Sequence, residues 1–134
     1  MTRAIRLHQT GGPEVLELQT VDVGDPGPGQ ARVRHTYIAV NFIDIYFRTG
    51  RYPLPLPNGL GSDAVGVVEA VGDGVTDIKV GDRVGYLLGP QGAYAEARVM
   101  PADVLIPLPA GVSDRAASTL MMTIDRSCCA EKRS

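Results

Sequence analysis

Polar and apolar residues alternate in short runs along most of the chain, and glycine or proline separates one run from the next. A period of two marks a strand with one buried face. Ala4-Ile5-Arg6-Leu7-His8 and Val15-Leu16-Glu17-Leu18-Gln19 both have it, with the turn Gly11-Gly12-Pro13 between them. Residues 3–21 are therefore predicted as a hairpin. A proline-containing loop over 25–29 leads to a long third strand, in which Ala31, Val33, Tyr37 and Ala39 alternate with Arg32, Arg34, Thr36 and Ile38. That strand delivers the chain to Asn41, where the period changes. Asn41, Asp44 and Arg48 fall on one side of a short predicted helix, with Phe42, Ile43, Ile45 and Phe47 interleaved. The run Tyr52-Pro53-Leu54-Pro55-Leu56-Pro57 can be neither helix nor central strand, so it is expected to lie as an extended cover.

The second half is built the same way. Residues 59–66 lead into a predicted buried strand over 67–72, and Gly72-Asp73-Gly74 makes a tight turn. Residues 79–86 supply another turn and strand. Residues 93–99 alternate strictly, and 102–109 hold a last short strand ended by Pro107 and Pro109. Ser113-Asp114 is predicted to cap a helix through Met122, with Ala116, Ala117, Leu120 and Met121 at helical spacing. Residues 123–134 have no periodicity and read as a frayed tail. Many short strands with close turn signals predict a mainly β fold, a small barrel with short helices. Strands do not alternate with long helices, so a doubly wound Rossmann sheet is expected to be absent.

Composition narrows this only modestly. A chain of 134 residues suits one domain. Sixteen glycines and ten prolines fit strands punctuated by turns. A net charge of −2 without a basic block excludes an electrostatic draw to nucleic acid or anionic membranes. No apolar run resembles a leader or approaches the ~18 residues of a membrane span. Cys128 and Cys129 are adjacent and cannot staple distant segments, so a reducing, cytoplasmic setting is expected.

The candidate chemistry is concentrated in residues 41–52, which hold an amide, a carboxylate, two phenols and two guanidiniums. A polar stripe on so apolar a helix lines a pocket or sits at a surface, and the flanking strands favour the pocket. Gly59, Gly61 and Gly66 superficially imitate a dinucleotide fingerprint. No helix follows them, so close backbone approach in a bent strand is the better reading. His8 and His35 lie far apart without a nearby cysteine, which favours ordinary strand surface over a metal site. Asp82-Arg83 reads as a turn carboxylate beside an ion pair.

Residues 1–122 resemble the N-terminal, GroES-like catalytic domain of medium-chain dehydrogenases/reductases, closest to the zinc-independent NADPH:quinone oxidoreductase branch. The resemblance rests on five motifs in the expected order. These are Gly11-Gly12-Pro13-Glu14-Val15-Leu16; Val40-Asn41-Phe42-Ile43-Asp44 with Tyr46, Arg48, Gly50 and Tyr52; Gly59-x-Gly61-Ser62-Asp63 with Gly66; Val80-Gly81-Asp82-Arg83-Val84; and Gly92-Ala93-Tyr94-Ala95-Glu96. In zinc-dependent relatives cysteine and histidine ligands stand where this chain has Asn41 and Ser62, so no metal is expected. The resemblance implies hydride transfer from NADPH to a quinone or another enone. It implies that Tyr46 and Tyr52 face the acceptor, that Asp44 and Arg48 orient them, and that Asn41 and Ser62 lie on the cofactor side. An alkenal or enoyl reductase uses the same pocket logic, and a stand-alone binding or assembly module is the reading outside enzymes.

Residues 123–134 match nothing in the family, whose helix there leads into the nucleotide-binding domain. Ser127–Glu131 can be encoded so that the shifted frame reads Leu-Leu-Arg-Arg, a run typical of that next helix. The expectation is a truncated, frameshifted chain that binds NADPH weakly or not at all, is inactive alone, and self-associates through exposed apolar surface around residues 116–122 and the site stretch.

Overall fold

The computed structural model describes residues 2–87 and 89–119. Its elements in order are β1 (Thr2–Leu7), β2 (Glu17–Val21), β3 (Gln30–Ala39), α1 (Phe42–Thr49), β4 (Asn58–Gly59), β5 (Asp63–Val71), β6 (Arg83–Tyr86), β7 (Ala97–Pro101) and β8 (Ile106–Pro107). They form two antiparallel sheets, one ordered β2-β1-β4 and the other β7-β3-β5-β6-β8. Residues 114–119 are helical, and Ser113 caps them by accepting the Ala116 N–H on Oγ at 3.1 Å. The expected continuation to Met122 and the tail over 123–134 lie outside the described residues. The architecture is the mainly β barrel with short helices that the strand pattern predicts, without a doubly wound sheet among the described residues.

Several predicted boundaries move, each because a backbone group finds a partner that periodicity cannot see. Val15 does not open the second strand. It is buried in a 3-10 turn over Pro13–Val15, so β2 starts at Glu17, and Thr2 to Arg6 pair with Val21 to Glu17. β5 begins at Asp63 rather than Val67, because residues 63–66 already pair with β3 and, from Ala64, with β6. Gly66 makes this possible. A Cβ there would lie 2.2 Å from the Arg34 carbonyl oxygen, opposite the bulge between His35 and Tyr37.

Residues 93–96 are not strand despite their alternation. Ala93 and Tyr94 N–H donate to Gly61 and Leu60 carbonyls, and the segment then crosses from one sheet to the other. Ile5 N–H donates to Tyr94 O at 2.7 Å, Glu96 N–H to Arg3 O at 2.9 Å, and His35 N–H to Glu96 O at 2.8 Å. This crossing joins the two sheets. The last predicted strand shrinks to β8, because Ala102–Val104 turn as a 3-10 helix.

Two clusters fill the interior. Val33, Val68, Val84, Tyr86 and Met100 lead the larger one under the five-stranded sheet. Leu7, Val15 and Leu60 form the smaller, with Leu16, Phe47, Leu54 and Tyr94 packed against it. The proline-rich run thus drops Leu54 onto the second core, consistent with an extended cover, and Phe47 seats α1 on the same core. At the far end Arg83 donates to Asp114 Oδ1 at 2.6 Å and Thr36 to Asp114 Oδ2 at 2.8 Å, which fastens the 114–119 helix to the sheet. Asp82 accepts the Lys79 N–H in the preceding turn, as its sequence position suggests.

Leu7 is fully buried and Leu18 is 65% exposed, though both lie in the same hairpin. Leu7→Ala is expected to cost roughly 2–5 kcal/mol through lost burial and a residual cavity. Leu18→Ala should stay within about 0.5 kcal/mol. Urea unfolding followed by far-UV circular dichroism checks the contrast, and equal losses would contradict this core assignment.

Candidate functional site

β3 hands the chain to Asn41, whose extended φ of −123° and ψ of 156° make it the N-cap of α1. Its backbone N–H is accepted by Asp44 Oδ2 at 3.0 Å, and its amide Nδ2 donates to Asp63 Oδ2 at 2.8 Å. Asn41 therefore stands between two carboxylates that are 3% and 2% exposed. Asp44 Oδ2 also accepts the Tyr94 hydroxyl at 2.5 Å. Burial, then this bond to a carboxylate, holds the Tyr94 phenol well above its ordinary value, against the opposing charge of Arg48. At the other end the helix stops on Gly50, left-handed at φ 87°. Arg48 fixes that last turn from two sides: its carbonyl accepts the Gly11 N–H at 2.9 Å, and its Nε donates to Gly11 O at 3.3 Å.

The polar stripe is thus real, but it faces inward. It is how α1 is anchored, and the apolar residues Phe42 and Ile45 point outward, 77% and 37% exposed. The phenols stand beyond the stripe. Tyr46 and Tyr52 meet edge to face with ring centres 5.3 Å apart, and the Tyr52 N–H donates to Tyr46 O at 3.1 Å. Phe47 backs the Tyr52 ring at 5.7 Å, and the Arg51 guanidinium lies 4.9 Å from the Tyr46 ring centre. Neither phenol hydroxyl has a hydrogen-bond partner among the described residues. The arrangement offers two phenol donors on a rigid corner, partly open to solvent.

Ser62 lies on the inner side, 2% exposed, next to Asp63 at the start of β5. Its carbonyl accepts the Gly89 N–H at 3.1 Å. Its hydroxyl and Asp44 Oδ1 are buried polar atoms without a partner among the described residues. The structure therefore joins Asn41 and Asp44 to each other, and Tyr46 to Tyr52, while Arg48 serves the Gly11 turn and Ser62 is walled in. Gly61 is left-handed at φ 95°, and a Cβ there would meet the Tyr94 ring at 2.6 Å. Close approach is what this glycine serves. Tyr94 and Asp63 are site residues that their strands' alternation alone does not disclose, although both sit inside the quoted motifs.

The histidines part company. His8 is a surface residue in contact with Gln19 and Glu17, whereas His35 is not strand surface. Its Nδ1 lies 2.7 Å from Ala95 O and its Nε2 2.9 Å from the Tyr86 hydroxyl. A carbonyl can only accept, so Nδ1 carries the hydrogen and Nε2 accepts from Tyr86. The Ala95 carbonyl of the crossing segment and the Tyr86 hydroxyl leave the ring half-buried, with both nitrogens engaged.

Residues 27–110 match the alcohol dehydrogenase GroES-like domain, and the chain belongs to that family. It is 49% identical over 123 residues to the quinone oxidoreductase of Pseudomonas aeruginosa, spanning 91% of this chain and 38% of that protein. It is 48% identical over 114 residues to a 2-haloacrylate reductase from a Burkholderia species, spanning 81% of this chain and 34% of the relative. The crystal structure of Escherichia coli quinone oxidoreductase complexed with NADPH superposes with a TM-score of 0.82 at 45% identity, covering 87% of this chain and 36% of that one. The chain thus spans little more than a third of the length of these relatives. Among the described residues no helix is long and apolar enough to cross a membrane.

Burial lowers the His35 pKa from 6.5 to about 4, with the nearby Arg98 charge adding to the effect and the Ala95 bond opposing it. The folded state therefore resists protonation that the unfolded chain accepts. Stability should fall as pH drops from 6.5 towards 4, by up to roughly 3 kcal/mol from this residue. The Asp114 and Glu69 carboxylates, held low by their arginines, lose their contributions only at still lower pH. Urea unfolding at pH 7 and pH 4.5 should show a smaller drop for His35→Gln than for the unchanged chain. A His35 ring that titrates near 6.5 by NMR would refute the neutral assignment.

Proposed function

We propose that this chain supplies the acceptor side of a reductase that uses NADPH to reduce quinones or related conjugated carbonyl compounds. The observation that carries the reading is the Tyr46–Tyr52 pair, two phenols whose hydroxyls have no partner among the described residues, on a corner fixed from inside by Asn41, Asp44 and Arg48. When bound, NADPH supplies a hydride to the conjugated system. Negative charge then builds on the acceptor oxygen, where donors contribute most because the charge develops there. Tyr46 and Tyr52 are the donors, and Asp44 and Arg48 are positioning residues. Asn41 and, buried behind it, Ser62 would stand on the cofactor side.

What the described residues offer NADPH is one wall. The α1 N-terminus, where an anion could bind, is already taken by the Asp44 carboxylate with Asp63 close by, so it does not suit a diphosphate. Asn41 and Ser62 are poor zinc ligands, and the chemistry proposed is metal-free. Stoichiometric zinc that is lost on replacing Asn41 or Ser62 would contradict that. A second acceptor class has its own support: the 2-haloacrylate reductase is nearly as similar as the quinone oxidoreductase, so a conjugated alkene acid is the alternative acceptor. The proposed setting is a reducing cytoplasm.

A polypeptide of these 134 residues alone should turn over no NADPH with 1,4-benzoquinone. Positioning of the two reactants supplies several kcal/mol of the barrier, and it depends on holding the cofactor's phosphates. Binding weaker than ~1 mM, worth less than about 4 kcal/mol, is expected in titration calorimetry. Micromolar saturable binding, or turnover abolished by Tyr46→Phe, would show that these residues form a sufficient cofactor site, alone or between copies.

The outer face of α1 gives a further expectation. Val40 and Phe42 are 79% and 77% exposed, beside Ile38 and Tyr37. An apolar surface of this kind finds a partner, and self-association is expected. Light scattering should report oligomers that Phe42→Ser weakens; a strict monomer at high concentration would count against it.

A further inference from the structure

A concavity of about 240 Å³ lies between β1, residues 21–23, the β4 turn and residues 91–99. Arg6 and Arg98 both line it, together with Asn58, Gln91 and Asp22. Arg6 is half-buried on the same strand face as buried Thr2 and Ala4, and it has no ion-pair or hydrogen-bond partner among the described residues. Arg6 thus brings to the concavity a charge that no carboxylate bonds, and partly covered charges are ordinarily paired.

Arg98 is held in place without being neutralised. Its guanidinium donates to Pro90 O at 2.8 Å and Gln91 O at 3.3 Å and lies 5.7 Å from the Tyr86 ring centre. Gly92, at φ 137°, leaves the room it occupies: a Cβ there would stand 3.2 Å from Arg98 Cζ. The two amides complete the set. Asn58 Oδ1 accepts the Gly59 N–H at 2.7 Å and Gln91 Oε1 accepts the Gly61 N–H at 3.1 Å. With both oxygens committed to backbone donors, each side chain keeps its NH₂ group as a spare donor.

Two guanidiniums and two amide donors thus converge with one carboxylate, Asp22, whose Oδ1 accepts the Gly24 N–H at 3.1 Å. Two positive charges against one negative leave the concavity net positive in a chain of net charge −2. We propose that this concavity binds a small dianionic oxyanion, a phosphate group or a short dicarboxylate, through the forked N–H groups of Arg6 and Arg98. Charge-assisted bonds from forked guanidiniums suit such oxyanions. The space is smaller than the ~300–1,000 Å³ of pockets for drug-sized ligands, which limits the occupant to a small ion or the terminal group of a larger molecule. The site shares no residue with the Tyr46–Tyr52 corner, and it stands whether or not the reductase reading holds.

The full 134-residue chain, titrated with inorganic phosphate and separately with malonate at constant ionic strength, tests this by amide NMR. Saturable shifts at Gly59, Gln91 and Gly92 are expected. Saturation by phosphate alone marks a tetrahedral oxyanion, and comparable saturation by malonate marks a site that reads two negative charges. Arg6→Gln should weaken phosphate about tenfold, and Arg6→Lys, which keeps the charge and loses the fork, should weaken it less. Asp22→Asn keeps the turn acceptor and removes the opposing charge, so binding should tighten about threefold. Shifts that do not saturate, that persist unchanged in both Arg6 variants, or that fail to strengthen in Asp22→Asn would overturn the proposal.

Discussion

The buried carboxylate of Asp44 fixes the start of α1 against the barrel. Asp44 accepts the N–H of Asn41 and the hydroxyl of Tyr94, and so ties the start of α1 to the segment that joins the two sheets. Charge-assisted bonds of this kind are about twice as strong as neutral ones, and removing a buried partner leaves the charge uncompensated. Because Arg48 pins the other end of the same helix to Gly11, the helix has little freedom to tilt. The phenol corner inherits that rigidity. Its geometry is set by residues on the inner side of the helix.

The inward turn of the polar stripe also settles what α1 presents to its surroundings. A helix normally buries its apolar residues and shows its charges. Here Asp44 and Arg48 are turned to the barrel and Phe42 to solvent, with only Phe47 seated on the core. Polar anchoring costs less than it would in a dry core, since Asn41, Tyr94 and Gly11 supply partners. The outward apolar face is the complement of that choice.

Much of the fold was legible because its strands obey simple alternation. The hairpin of β1 and β2, the length of β3, the position of α1 and the Ser113 cap all follow from periodicity and capping chemistry. The failures share a cause. Residues 93–96 alternate as a strand should, yet the N–H groups of Ala93, Tyr94 and Glu96 go to Gly61, Leu60 and Arg3, and no local pattern announces partners so remote. His35 reads as surface for the same reason: its burial comes from Ala95 and Tyr86, far along the chain. At the site, the motif disclosed Asn41, Asp44, Tyr46, Arg48 and Tyr52 as a group. It did not disclose which of them point inward, because helical spacing gives a common side and leaves open whether that side meets a pocket or a core.

The crossing segment sets an order of events on the ribosome. Arg3 and Glu96, joined by backbone and side-chain bonds, are 93 positions apart. The first hairpin therefore emerges long before the segment that binds its open edge has been synthesised. Until residue 96 has cleared the exit tunnel, that edge of β1 keeps unpaired N–H and C=O groups.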